Sequence, residues 1–342
     1  MCSVLSAASI NPINGLTGSN RSHWCRLCRH WLFMAALLVL TACASRPEWP
    51  ETTRENALPE SQFLSQVPFH AQEKYQCGPA ALAMMLNSQS LPQQPEELVD
   101  RVYIPERGGT LQVELVAAAR EQGLIVYPLP REPEAIIAEV AAGNPVLVMQ
   151  NLGFGWWPQW HYAVVVGYDQ PSEQFILHTD TRRANQQLLP VFMRTWDRAE
   201  RWAVVMLDPG ELAATAEPLS WLRAASDLEQ TGQTQSAYRA YQAALKRWPE
   251  QPAARFGLAN SAATLGQDAL AIQHLLTLTQ EHPQLAAAWH NLGFMLTRAQ
   301  CPLGAKAAQQ CAAARDQRFA GGQTPPPESH QALPACPLIA CP

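Results

Sequence analysis

One cysteine of this chain lies where a polar loop meets an apolar segment. Cys77 precedes Pro79, which fits the first turn of a helix because its missing N–H needs no partner there. Leu82, Met85 and Leu86 recur at intervals of three and four residues, the period of a buried helix face. The pattern predicts a helix that begins at Cys77, where free backbone N–H groups and the helix dipole favour a thiolate.

A glutamine precedes this cysteine at a distance that suits catalysis. Gln72 lies five residues upstream of Cys77, close enough to offer a side-chain amide to an oxyanion that forms beside the sulfur. A buried cysteine at a helix start would show similar spacing without chemistry. Gln72 before Cys77 and the Gly-Pro directly after it favour a nucleophile, for which we expect a lowered thiol pKa.

Two further residues could activate such a nucleophile. Residues 161–168 and 174–179 read as strands, and the turn residues 169–173 predict a hairpin between them. His161 opens the first strand and Asp180 follows the second, so the hairpin would make them neighbours. The imidazole could then deprotonate Cys77 while the carboxylate fixes its tautomer.

Each of these residues has a rival. Asp169 is a second carboxylate, but it sits at the wrong end of the first strand. His178 is a second possible base, and it shares a face with Asp180 only if the strand continues unbroken. A histidine or aspartate at a strand end is also often structural. The pairing of His161 with Asp180 is stronger than either residue alone.

The elements around these residues predict one α+β domain over residues 62–210. Helices are predicted first and strands later, an order typical of a largely antiparallel sheet beside segregated helices. The predicted helices are residues 77–86, 95–99, 111–120, with Thr110 as cap and Gly123 as stop, and 134–141. The predicted strands are residues 124–127, 145–149, 161–168, 174–179 and 202–207, the last of which closes the sheet.

In this order the motifs resemble the papain-like bacteriocin-processing, or double-glycine, cysteine peptidase family and its stand-alone relatives. The motifs are Val67-Pro68-Phe69, Gln72, Cys77-Gly78-Pro79-Ala80-Ala81-Leu82-Ala83, His161-Tyr162-Ala163-Val164-Val165 and Asp180. The resemblance implies that Cys77 is the nucleophile and His161 the base. It also implies that Asp180 orients the base and that Gln72 and the Cys77 N–H form the oxyanion hole.

The sequence departs from this family in two respects. The family's aspartate is commonly followed by proline, whereas Thr181 follows Asp180 here. In the exporters of the family the domain precedes a transmembrane ATPase, which we do not find in this sequence. Cleavage of double-glycine leader peptides is therefore not carried over as the expected reaction.

The loop before His161 is rich in tryptophan. Trp156, Trp157 and Trp160 fall within five residues, flanked by Gly153, Gly155 and Pro158. They could form an apolar wall of the cleft or a movable flap. They could equally pack against the sheet.

The first residues read as an export signal. Three arginines precede the apolar run 31–40, which is short for a membrane span. Leu40-Thr41-Ala42-Cys43 then resembles the lipobox of bacterial lipoproteins, which implies removal of residues 1–42 and lipid attachment to Cys43. An ordinary cleaved signal or a short anchor is the alternative. Because Ala44 follows the cysteine, the resemblance implies an outer-membrane anchor that faces the periplasm. Residues 43–61 mix proline with charge and predict a tether.

A repeat of 34 residues follows the predicted sheet domain. The coincident positions are Trp221, Arg255 and Trp289; Ala237, Ala271 and Ala305; Gly232 and Gly266; Pro249 and Pro283. This pattern resembles tetratricopeptide repeats, and three units fit within residues 218–316, the third with Gln300 and Gln317 in place of glycine and proline. Because repeat units contact only their neighbours, we expect the all-α array to fold separately from the sheet domain.

The last segment, residues 317–342, is proline-rich and predicted to be disordered. If the chain is exported, Cys301, Cys311, Cys336 and Cys341 could form two disulfides in any of three pairings. The cysteine spacings lack the short paired knuckles of zinc ribbons, so we expect no metal site.

These observations predict a lipid-anchored cysteine peptidase with a carboxy-terminal repeat array. Its expected partners are a peptide or protein substrate, a protein bound by the repeats, and the membrane through the anchor. The net charge of −5 argues against a nucleic-acid partner, and no cofactor is expected. Two alternatives stay open, namely acyl transfer by the same triad and a non-catalytic peptide-binding scaffold.

Overall fold

The computed structural model describes residues 47–51, 58–71, 77–320 and 335–341. The predicted signal peptide, Cys43 and Gln72 lie outside these residues. The helices are α1 (Cys77–Ser88), α2 (Pro95–Val102), α3 (Gln112–Glu121), α4 (Pro133–Ala141), α5 (Leu189–Asp197), α6 (Pro218–Gln230), α7 (Thr234–Arg247), α8 (Pro252–Thr264), α9 (Asp268–Glu281), α10 (Ala286–Arg298) and α11 (Pro302–Arg315). The strands are β1 (Ser61–Phe63), β2 (Tyr103–Ile104), β3 (Gly109–Thr110), β4 (Ile125–Pro128), β5 (Val146–Asn151), β6 (Trp160–Asp169), β7 (Gln174–Thr179), β8 (Arg182–Leu188) and β9 (Ala203–Leu207).

The main sheet is antiparallel and has the order β4-β9-β5-β6-β7-β8, with β1 paired to β6. The predicted hairpin of β6 and β7 is present, with Val164 opposite His178 and Asp169 opposite Gln174. Helix α1 begins at Cys77 as predicted, and its apolar residues are fully buried beneath the sheet domain's other elements. The predicted arrangement of early helices and a late antiparallel sheet is confirmed.

Three local predictions differ from the structure. The strand at residues 203–207 does not close the sheet but lies between β4 and β5, because strand order depends on long-range pairing. The polar strand β8 and helix α5, which precede it, were not predicted. Thr110 is not a helix cap: it lies in β3, and Leu111 precedes α3 without a side-chain cap.

The predicted tether does not hold for the part of residues 43–61 that the structure describes. Trp49 is 6% exposed, and its ring lies 6.0 Å from Tyr168 and 5.5 Å from Phe175 between centroids. Leu58 also packs against the core, and Ser61 begins a strand that pairs with β6. These residues are part of the sheet domain because an indole of this size gains more from burial than from exposure.

The repeats form three helix pairs, α6–α7, α8–α9 and α10–α11, which run from Pro218 to Arg315. Within each pair the helices are joined by a residue with positive φ: Gly232 at 81°, Gly266 at 75° and Gln300 at 60°. The third unit therefore keeps the left-handed turn although it lacks the glycine that adopts it at least cost. This explains how the degenerate repeat preserves the spacing of the other two.

The first repeats share an apolar core with the sheet domain, a contact that the prediction of a separately folding array did not include. From Glu48 onward the described residues form one compact unit, and one apolar core runs from Trp49 through the sheet to Leu258 in α8. Trp221 of α6 is fully buried, with its ring 6.0 Å from that of Tyr127 in β4. The 34-residue pattern predicts contacts between neighbouring repeats. It does not predict that α6 also has apolar residues that pack against the sheet.

The connection between sheet and repeats is also held by a buried carboxylate. Glu139 of α4 is fully buried and accepts hydrogen bonds from the backbone N–H of Ala214 and from the N–H and hydroxyl of Thr215, at 3.1, 2.8 and 2.6 Å. The Tyr127 hydroxyl donates to the Thr215 carbonyl at 3.0 Å and accepts from the Glu217 N–H at 3.1 Å. A buried carboxyl group that accepts several hydrogen bonds fixes the path of the chain into α6.

The end of the chain is covalently held to the last repeat. Disulfides join Cys301 to Cys336 and Cys311 to Cys341, which selects one of the three possible pairings. Ile339 packs against a second apolar core that is formed by the later repeats. The prediction of a disordered tail is therefore wrong for residues 335–341.

Among the described residues, no helix is long and apolar enough to span a membrane. The apolar run at residues 31–40 lies outside them.

Candidate active site

Cys77 is the first residue of α1, is only partly exposed, and lines a cleft of about 860 Å³. His161, Tyr162 and Asp180 line the same cleft. Gly78, next to the cysteine, packs so closely on Thr110 that an added Cβ would lie 2.3 Å from the threonine Oγ1. A side chain at position 78 would therefore displace Thr110, which lines the same cleft as Cys77.

The surroundings of Cys77 change the pKa of its thiol in opposite directions. Burial raises the pKa of the thiol, while backbone N–H groups of Tyr162, Gly78 and Cys77 itself lower it. The negative charge of Asp180 adds to the increase, and the net direction of the pKa is upward. The predicted lowering of the pKa is therefore wrong in direction, because the cost of burying a thiolate exceeds the help from the helix N-terminus.

His161 and Asp180 are brought together as the hairpin predicted. His161 Nε2 lies 3.6 Å from Asp180 Oδ1, and Arg182 Nη2 contacts the other carboxylate oxygen at 3.0 Å. Asp180 has a φ of 48°, a left-handed conformation that aspartate tolerates better than most residues. This turn directs the carboxylate back towards the start of β6.

A residue that the sequence analysis missed makes a closer contact. Thr179 Oγ1 lies 2.7 Å from His161 Nε2, and Thr179 is buried. The threonine precedes Asp180 at the end of β7, so the same hairpin geometry could have pointed to it. With Nε2 directed at Thr179 and Asp180, Nδ1 is the ring nitrogen that could accept a proton from the sulfur.

Burial also governs the imidazole. It lowers the pKa of His161; the charge of Asp180 partly opposes this, and that of Arg182 adds to it. A raised thiol pKa and a lowered imidazole pKa both favour the neutral pair at rest. The arrangement could therefore act by general-base transfer of the thiol proton at the moment of attack.

The rival residues have other roles. His178 is fully buried; its Nδ1 accepts the Ala184 N–H at 3.2 Å and its Nε2 lies 3.3 Å from the Val67 carbonyl. It joins β7 to two other segments and takes no part in the cleft lining. Asp169 lies at the far end of β6 and accepts from the Ser172 hydroxyl. Neither replaces His161 or Asp180.

The tryptophans do not pack against the sheet. Trp156 is 80% exposed, Trp157 64% and Trp160 54%. Trp157 and Trp160 line the cleft beside His161, so the wall interpretation agrees with their position. Within the described residues, no group of three or more histidines, cysteines or acidic residues is arranged to hold a metal ion.

The comparisons with known proteins point in the same direction as this geometry. Residues 64–203 match the model of the Peptidase_C39 like family. The resemblance inferred from the Gln72, Cys77, His161 and Asp180 motifs is thereby confirmed, as is the α+β papain-like fold class. We refer to this part as the C39-like domain. Residues 228–295 match a tetratricopeptide repeat model, which confirms the helical array that follows.

A solved structure and the curated proteins complete the comparison. The crystal structure of a C39-like peptidase candidate from Bacillus anthracis is similar at 18% identity and a TM-score of 0.38. The similarity covers 45% of this chain and all of that one. The chain matches none of the curated proteins with which it was compared.

Proposed function

We propose that the C39-like domain is a cysteine peptidase that cleaves an amide bond through a thioester on Cys77. The observation that carries the proposal is the placement of His161, which lines one cleft with Cys77 while its Nε2 faces Thr179 and Asp180. When Nε2 carries the proton and donates it to the Thr179 hydroxyl, Nδ1 of this imidazole is available as a base.

The proposed reaction begins with transfer of the thiol proton to His161 Nδ1 as the sulfur attacks the carbonyl carbon. The resulting oxyanion would accept a hydrogen bond from the Cys77 backbone N–H at the start of α1. Gln72 is proposed as the second donor on its sequence position alone. The C–N bond then breaks, and the leaving amine takes the proton from His161.

Water completes the proposed cycle. It attacks the thioester and gives a proton to His161, which returns it to the sulfur as the carboxylic acid leaves. An amine in place of water would give acyl transfer through the same intermediate. The residues of the site serve both outcomes, so the nature of the acceptor distinguishes them.

The test is product analysis with a random decapeptide mixture and the full-length protein. We expect fragments with new amino and carboxyl ends from the wild type and none from Cys77→Ala at equal folded concentration. Adding hydroxylamine or glycinamide would reveal acyl transfer as a new mass. A wild-type protein that binds peptides but leaves them intact would favour the scaffold alternative.

We also propose that the protein is anchored by lipid in the bacterial outer membrane, facing the periplasm, with its repeats recruiting a substrate or partner protein. The support is the Leu40-Thr41-Ala42-Cys43 sequence after an apolar run, and the similarity of residues 228–295 to tetratricopeptide repeats. Mass spectrometry of the mature amino terminus tests the anchor. A terminus without acyl groups on Cys43 would refute it.

A further inference from the structure

The position of His161 defines which part of a substrate lies near it. In the proposed reaction the leaving amine takes its proton from this imidazole, so the amine must lie within hydrogen-bonding reach of it. The residues that follow the scissile bond are attached to that amine. They must therefore leave the cleft past the elements that surround His161.

The element that leads into His161 is the aromatic hairpin, residues 152–160. Trp157 and Trp160 line the cleft that holds Cys77, and both expose more than half of their surface. Large apolar side chains left exposed together mark a surface that binds another apolar group. Their place beside the base assigns that group to the leaving side of the substrate.

The hairpin is held in place, so its exposed rings are pre-positioned. Asn151 Oδ1 accepts the N–H groups of Gly153 and Gln159 at 3.0 and 2.9 Å, and Arg198 Nη2 donates to the Asn151 carbonyl at 2.9 Å. An added Cβ at Gly153 would lie 2.3 Å from the Trp157 carbonyl, so the tight turn requires this glycine. A rigid aromatic surface loses little entropy when it binds.

The tip of the hairpin differs from its base. Phe154 and Trp156 are stacked with centroids 5.6 Å apart and planes 7° apart, and neither lines the cleft. Trp156 offers a control for Trp157, because it is the same residue type on the same hairpin but lies outside the cleft. Its ring meets that of Trp157 edge to face, with the centroids 6.4 Å apart, so equal melting temperatures of the two variants are part of the comparison. The two positions separate substrate binding from any other apolar surface, such as a membrane contact.

We propose that the aromatic hairpin determines specificity on the leaving side, where it binds a peptide with a large apolar side chain just after the scissile bond. The proposal rests on the proposed peptidase function. Phenylalanine, tryptophan, leucine and isoleucine are the side chains that rings of this kind bind best, through apolar contact and ring stacking. Glycine or a charged residue at the same place would leave Trp157 and Trp160 in water.

Two measurements test this proposal with the full-length protein. In the first, the random decapeptide mixture is cleaved by the wild type, and the residues after each cut are read by mass spectrometry. In the second, Cys77→Ala selects peptides from the same mixture without cleaving them. We expect apolar residues to be enriched after the cut, and the selected peptides to be enriched in them at least ~10-fold over glycine, an effect typical of burying one large side chain.

The variants decide the outcome. Trp157→Ala should abolish the enrichment in both measurements, whereas Trp156→Ala should retain it, and both should keep wild-type melting temperatures. No enrichment, enrichment only before the cut, or equal loss in the two variants would overturn the proposal.

Loss of binding to phosphatidylglycerol vesicles in Trp156→Ala, with peptide preference unchanged in Trp157→Ala, would reassign the hairpin to a membrane. Selection by Cys77→Ala without any cleavage by the wild type would refute the peptidase while supporting the binding surface.

Discussion

The molecule uses tryptophan in two opposite ways at two places on one sheet, the edge strand β4 and the start of the interior strand β6. At the β4 edge, Trp221 is fully buried and donates its indole N–H to the Ala240 carbonyl at 2.9 Å. At the start of β6, Trp157 and Trp160 remain largely exposed beside His161. Trp221 joins the sheet to the repeats, whereas Trp157, whose ring meets that of Trp156 edge to face, and Trp160 keep most of their surface exposed. Aromatic content alone would not separate the two, but burial does.

The difference teaches how the two functions of the chain are divided. At the edge of the sheet that faces the repeats, apolar surface is removed from water. The buried carboxyl group of Glu139 there accepts hydrogen bonds from Ala214 and Thr215. The cleft, in contrast, has exposed aromatic side chains, an aspartate (Asp180) with positive φ, and a thiol (Cys77) whose pKa is raised by burial. Unfavourable features of this kind concentrate at sites where function requires them.

The largest expected effect is the difference in stability between removing the buried Trp221 and removing the exposed Trp157. Trp221→Ala should lower the free energy of unfolding by about 3–5 kcal/mol, because it leaves a cavity in the core that sheet and repeats share. Trp157→Ala should change it by no more than about 0.5 kcal/mol, since the ring is exposed. Urea unfolding followed by circular dichroism measures both. Equal losses would show that the comparison is wrong.

The shared core also predicts the result of truncation. A chain that ends near residue 209 would uncover Tyr127 and leave Glu139 without its Thr215 donors. We therefore do not expect an independently folded sheet domain, in contrast to the sequence-based prediction of separable parts.

The next effect concerns the far end of the array. Removing the Cys301–Cys336 bond with Cys336→Ser should destabilise the second core by about 3–4 kcal/mol, the entropy expected for a closed loop of this length. The alkylation rate of Cys77 should stay unchanged, because the cleft lies in the first core. Hydrogen exchange of α11 measures the stability of the second core, and mass spectrometry of alkylated Cys77 measures the reactivity of the cleft in the same sample. A change at both ends would indicate that the cores act as one.

A smaller effect should show which partner of the His161 imidazole, Thr179 or Asp180, contributes more to kcat/KM. Thr179→Val should lower kcat/KM by roughly 10- to 100-fold, the value of a buried hydrogen bond of about 1.5–3 kcal/mol. Asp180→Asn should lower it less, because the carboxylate is more distant from Nε2 and partly exposed. Thr179→Ser keeps the hydroxyl and should restore most of the rate. If Thr179→Val were as active as the wild type, Asp180 alone would orient His161.

The smallest effect is on the pH profile. Because the pKa of His161 is lowered by burial, the neutral base persists below pH 6.5, and the acid limb of kcat/KM should lie below that value. Arg182→Ala removes a charge that lowers this pKa, so the limb should move up. Asp180→Asn removes a charge that raises it, so the limb should move down. Shifts in the opposite directions would contradict the assignment of His161 as the base.

Sequence patterns were informative where contacts are local. The period of Leu82, Met85 and Leu86 located α1, and the predicted hairpin of β6 and β7 brought His161 near Asp180. The one-residue register shift between Val165 and Gly167 was not visible in the sequence. Thr179 was missed although the predicted hairpin placed it near His161, because a threonine is not one of the residue types that usually orient a catalytic imidazole.

Longer-range features left little trace in the sequence. The interior position of β9 and the burial of Trp49 depend on residues far away in the chain. The raised pKa of Cys77 depends on how much protein covers the sulfur, which a helix start alone does not indicate. The polar strand β8 shows no apolar alternation because it is an edge strand that faces water.

The central claim is that His161 activates Cys77, and the rate of Cys77 alkylation tests it most directly. The full-length wild type, His161→Ala and the control His282→Ala are treated with iodoacetamide from pH 5 to 10, and Cys77 is quantified by mass spectrometry. Cys77 is the free cysteine among the described residues, and the control removes an imidazole from the repeats. At pH 7 we expect the wild type and His282→Ala to react at least ~10-fold faster than His161→Ala, because only the variant lacks the imidazole that takes the thiol proton during attack and must react through the thiolate at alkaline pH. Equal rates in all three proteins, at equal melting temperatures, would contradict the account.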